Sequence, residues 1–159
     1  MSAQDIYDFE VIVPVAVQTV LTAAGLTAMT IADTQDFQKT RPRVEVVYKH
    51  TGEAQPQRKA MLDDGSKRTS CFRGELKLHA ITDADAAGKL AHSEYRAQVR
   101  AAVAVLQDQL NGSALANHNI QFITSGNEET GVRSADGCQQ TTFSFQVDLS
   151  VQQDAWSIL

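Results

Sequence analysis

The side chains able to do chemistry in this chain are few and scattered. Four histidines (His50, His79, His92, His118) and two cysteines (Cys71, Cys138) carry the groups best suited to nucleophilic or metal chemistry near neutral pH. No pair among them has the i, i+4 helical spacing or the close in-strand spacing of a metal site. A Ser70–Cys71 nucleophile with His79 as base fails on distance. Cys71 and His79 fall in one strand-like run, eight residues apart, which is about 26 Å at strand rise. His92 and Glu94 diverge, because helical residues two apart do not face each other. His79 reads as part of a polar strand face, His92 as part of a polar helix face, and His50 and His118 as element ends. The acidic pairs Asp63–Asp64 and Glu128–Glu129 stand in stretches read as polar loops, where adjacent carboxylates solvate the chain rather than converge on a cleft. The phosphate-loop, dinucleotide, zinc-protease and nucleophile-elbow patterns are all missing. The expectation is a chain with no catalytic residue, no cofactor and no metal.

Charge and one aromatic residue offer a second kind of chemistry, that of contact. Lys39, Arg41, Arg43 and Lys49 precede and occupy one strand-like run. Arg58, Lys59, Lys67, Arg68, Arg73 and Lys77 follow in a long polar stretch and the next strand. This is either a solvated face or an electropositive surface that meets an acidic partner or passing nucleic acid. The stretch carries no aromatic residue, so base stacking is not indicated. Trp156, the only tryptophan, either folds back onto the domain with its terminus or anchors a neighbouring chain.

The elements that must position these residues follow from periodicity. Phe9, Val13, Val17, Val20 or Leu21 and Ala24 recur at helical spacing from about Asp8, and Gly25 suits the helix stop. Pro14 allows two versions: a kinked helix from Asp8, or an extended lead-in with the helix starting at Pro14. A short strand covers Thr27 to Ala32. Arg43 to Lys49 alternates as a strand, stopped by Thr51-Gly52. Residues 53–70 are polar and read as a long loop. In Cys71 to Thr82, Phe72, Gly74, Leu76, Leu78 and Ala80 make one face, and Arg73, Glu75, Lys77 and His79 the other. A helix capped by Thr82 or Asp83 runs to about Gly112, with Leu90, Val99, Ala102, Val103, Leu106 and Leu110 as its apolar stripe. His92, Arg96 and Arg100 fall off that stripe. A strand at Ile120 to Thr124, a hairpin-like excursion from Gly126 to Gly137 and a long strand from Gln140 to Val151 complete the chain, with a tail at 152–159. The order α-β-β-β-α-β-β predicts an α+β fold: one antiparallel-dominated mixed sheet with two main helices packed on one face.

Composition sets the outer bounds. The chain has 159 residues, 43% hydrophobic and 21% charged, which fits one globular domain over 1–159. A net charge of -5 disfavours nucleic-acid binding as the main role. No stretch is long and apolar enough to span a membrane as a helix. The acidic N-terminus lacks the basic start of a secretory leader, and two distant cysteines read as reduced thiols of a cytoplasmic product.

The segments RPRVEVVYKH, CFRGELKLHAITD, HSEYRAQVRAAVAVL and TTFSFQVDLSVQQDAW, in this element order, resemble the tail terminator, or tail-completion, proteins of long-tailed bacteriophages. The resemblance lies in layout and sequence flavour from about Val11 to Trp156, without a diagnostic motif. It implies a structural virion protein that is assembled in the host cytoplasm. Its copies close into a ring, commonly a hexamer, on the head-proximal end of the tail tube. Such a ring stops tube polymerisation and joins the head-completion or neck protein, while DNA passes through its lumen without sequence-specific binding. In such a ring some of Arg41, Arg58, Lys59, Lys67 and Arg68 are expected to face the lumen or tube rim, with Glu128 and Glu129 kept further out. The competing readings are another neck or tail-tube component, a small-molecule enzyme with a site built from scattered residues, and a cytosolic regulatory binding module.

Overall fold

In the computed structural model, which describes residues 9–30, 42–53, 69–83, 88–114, 118–123, 127–132 and 138–152, an apolar helix with a glycine stop opens the fold. This helix, α1, spans Phe9–Ala23 and holds Pro14 in its interior, so the version that begins ahead of the proline is the one adopted. Proline has no N–H to give to the carbonyl four residues back, and burial of one face compensates. Val13, Val17 and Leu21 are fully buried there. Gly25 takes φ +89°, the left-handed conformation that favours glycine. The Leu26 N–H then reaches the Leu21 carbonyl at 3.1 Å, and the Gly25 N–H reaches that of Thr22 at 3.0 Å. That pair of bonds is a Schellman stop, and buried Leu26 packs into the core beside it.

Strands β1 (Ala28–Thr30), β2 (Arg43–Glu53) and β3 (Thr69–Thr82) follow. The second runs past Thr51-Gly52, against expectation, because a register shift between His50 and Gly52 absorbs the irregularity and pairing resumes at Gly52↔Arg73. Helix α2 (Gly88–Ala104) carries on as α3 (Leu106–Gln109) after a break at Val105, and ends in a turn of π-helix, Leu110–Ala114. The expected single helix to Gly112 is therefore interrupted. Strands β4 (His118–Phe122), β5 (Asn127–Val132) and β6 (Gln139–Gln152) close the chain. The hairpin-like excursion read from the sequence contains β5.

The fold is α+β with a mixed six-stranded sheet. Its order is β1-β2-β3-β6-β4, with β5 also on β6. Only β1–β2 is parallel; the rest is antiparallel. β4 and β5 lie one after the other along the same edge of β6, opposite 147–151 and 139–144. Alternation sorts the faces. Val44, Val46, Tyr48, Leu76, Leu78, Ala80, Phe143, Phe145, Val147 and Leu149 all belong to one buried cluster with α1, Tyr95, Val99, Ala102, Leu106 and Leu110. Val103 is only partly buried against this cluster. Val103→Ala should therefore cost about 1 kcal/mol in a urea melt, the low end of a valine truncation. No loss would separate α2 from the core.

Candidate functional site

None of the residues singled out for contact, Arg41, Arg58, Lys59, Lys67, Arg68 and Trp156, falls among the described residues. The functional geometry is built instead from the sheet's open face, its two edges and one buried histidine.

The open face is polar because every second strand residue points away from the helices. Arg73 on β3 meets Asp148 directly across on β6, Nε to Oδ1 at 2.9 Å and Nη2 to Oδ2 at 3.2 Å. Lys77 Nζ lies 3.1 Å from Glu75. His79 Nδ1 lies 2.8 Å from Thr142 Oγ1. Arg43 departs from the expected exposed face: it is 1% exposed, and its Nε and Nη2 both donate to Glu45 Oε2 at 3.0 and 2.9 Å. Its cross-strand partner Ile81 is fully buried too, so the open face closes at that corner. Among the described strands the basic residues are thus mostly matched by acids, which argues against a one-signed electropositive surface there. Glu128 is a strand residue rather than a loop residue. It accepts from Arg100 Nε and Nη2 on α2 at 2.5 and 2.6 Å, which holds its carboxyl below the usual range.

The edges differ in how they are finished. On β4, the Asn111 side chain accepts from the Ile120 N–H at 2.8 Å and donates to the Ile120 carbonyl at 2.9 Å. Gln107 Oε1 accepts from the Phe122 N–H at 2.8 Å. The break after α2 sets these two amides four residues apart on one side, where they stand in for a neighbouring strand. β5 has no such cover among the described residues: every residue from Asn127 to Val132 is exposed. At the far edge, β1 covers only Val44–Val46 of β2.

His92 overturns its assignment to a polar helix face. It is 3% exposed and points into the sheet. Its Nδ1 lies 2.8 Å from Thr82 Oγ1 and its Nε2 2.7 Å from Thr141 Oγ1. Thr141 Oγ1 in turn lies 2.9 Å from Thr130 Oγ1, to which Arg96 Nη1 donates at 3.2 Å. Burial, with the Arg96 charge second, pushes the His92 pKa down, so the ring is neutral at pH 7. The buried positions His92, Tyr95, Val99, Ala102, Leu106 and Leu110 step by three and four, so helical spacing alone carries the signal for His92. A threonine–imidazole pair is nucleophile chemistry in principle, but Thr141 is fully buried and the ring meets no carboxylate in this chain of bonds. The arrangement bonds a helix to a sheet. Among the described residues no three His, Cys, Asp or Glu side chains gather as a metal site would need. No known protein family and no curated protein matches this chain.

Proposed function

We propose that this chain is a structural assembly protein of the phage tail terminator type, whose copies close into a ring that ends a tail tube and meets the neck. The observation that carries the reading is the unequal finish of the sheet. One face is covered by helices, the other is polar, and among the described residues two strand edges at opposite sides are left without a backbone neighbour over part of their length. An isolated domain gains nothing from two such edges, which invite pairing. A heterologous ring needs two different surfaces on each copy. The element order and the four segments quoted above support the phage assignment, and the buried His92 chain gives no footing to an enzymatic alternative.

Sedimentation velocity and negative-stain microscopy of the purified chain test the reading. The expected result is an annular species several times the 17.3 kDa of one chain. Added to a polymerising tail-tube protein, it should stop elongation, and a phage deleted for the gene should make over-long tails. A monomer at every concentration, or tails of normal length, overturns the proposal.

A further inference from the structure

The two open edges fit each other. β5 is an exposed edge strand, and on the edge of β2 away from β3 no strand pairs beyond Val46 among the described residues; there Glu10 Oε1 accepts from the His50 N–H at 3.2 Å. We propose that copies join head to tail by strand pairing, β5 of one adding to the outer edge of β2 of the next, with Glu129 across from Lys49. The proposal rests on the ring reading above and names the surface that builds it.

Four features support this pairing. Direction agrees: β2 is antiparallel to β3, β3 to β6 and β6 to β5, so β5 of a neighbour in the same orientation meets β2 antiparallel, the more stable arrangement. Parity agrees as well. The Val44 N–H donates to the carbonyl of Thr27, the residue just ahead of β1, which makes even-numbered β2 residues the outward-facing backbone positions. On the other edge the Ile123 N–H bonds to the Gln146 carbonyl, which turns the even-numbered β6 residues toward β5 and leaves Glu128, Thr130 and Val132 outward. Lys49 and Glu129 then form a non-hydrogen-bonded pair, the closer side-chain pairing, and both belong to the open polar face.

Charge selects the partner. Lys49 and Glu129 are exposed, and neither has an ion-pair partner among the described residues. Pairing β5 with β5 brings together strands that carry acids and no base, which is unfavourable; the head-to-tail pairing is complementary. Stagger agrees too. Glu129 lies level with Thr142, His79 and Glu45 of its own copy, so meeting Lys49 shifts the next copy by four residues. That is about 13 Å over four strand widths of about 4.8 Å, a tilt of about 35°, as closed sheets require.

Charge reversal and crosslinking test this, with folding of each variant checked by circular dichroism. Lys49→Glu and Glu129→Lys should each weaken self-association about tenfold or more, and the double swap should restore it to within about threefold. Lys49→Cys with Glu129→Cys should give a disulfide-linked ladder on a non-reducing gel, since the two positions lie on opposite edges of one copy and cannot bond within it. Each single cysteine should give no ladder. A ring that survives both single reversals, or a double swap that fails to restore it, overturns the edge pairing while the ring reading stands. A wild-type chain that never assembles overturns both.

Discussion

Gly74→Ala should lower the folding stability by about 3 kcal/mol, the upper part of the range for overfilling a packed core. Gly74 sits in the middle of β3, and a methyl group there would fall inside the phenol ring of Tyr48 on β2, overlapping Oη, Cζ and Cε2. The ring cannot swing out at low cost, because Tyr48 is 5% exposed and belongs to the core cluster. Tyr48 lies opposite Leu76, and its ring reaches diagonally over the bare backbone of Gly74. The phenol oxygen has no hydrogen-bond partner among the described residues, and burial is the main cause that pushes its pKa up to about 12. It therefore stays protonated and contributes shape rather than charge. Urea denaturation of four proteins reads this out: wild type, Gly74→Ala, Tyr48→Ala and the double variant. The double variant should be less destabilised than the sum of the singles by 1 kcal/mol or more, because the cavity left by the ring accepts the methyl group. Additive effects would mean that the glycine is required for some reason other than the ring.

What could be read from the sequence divides along physical lines. Alternation and helical spacing report which face of an element is buried, so the polar and apolar sides of β3 and β6 and the stripe through Val99, Leu106 and Leu110 were legible. Gly25 was legible as a stop because only glycine tolerates that backbone angle easily. Residues whose burial depends on a partner far along the chain were not. His92 looked polar because its hydroxyl partners, Thr82 and Thr141, lie 10 and 49 residues away. Arg43 looked exposed because alternation alone does not reveal that its corner of the open face is closed over. β5 was missed as a sheet strand because all its residues are exposed, and an edge strand so placed carries little apolar pattern. The candidate edges were not legible in the sequence. An assembly edge is made of backbone groups, which any sequence has.

His92→Ala should cost about 3 kcal/mol, from the cavity together with the hydrogen bonds lost by two buried threonine hydroxyls, of which Thr141 keeps Thr130 as a partner. The conservative His92→Gln supplies an amide donor and acceptor in place of the two ring nitrogens and should lose less. The pair of variants also separates packing from protonation. Burial first, and the Arg96 charge second, depress the folded-state pKa of His92 below the ordinary 6.5. The sign follows from proton uptake. Above pH 6.5 the ring is neutral in both states, so titration leaves stability unchanged. As the pH falls below 6.5 the unfolded chain takes up a proton that the folded chain refuses, so stability is lost. The loss continues, at up to about 1.4 kcal/mol per pH unit, until the pH reaches the folded pKa. Urea midpoints measured at pH 8, 7, 6 and 5 should therefore fall more steeply for wild type than for His92→Gln below 6.5, with parallel curves above it. The Glu128–Arg100 pair titrates lower, since the carboxyl is depressed from 4.5, and it is common to both proteins. Parallel curves through the whole range would mean that the His92 ring titrates alike in the folded and unfolded chain, which its burial between Thr82 and Thr141 argues against.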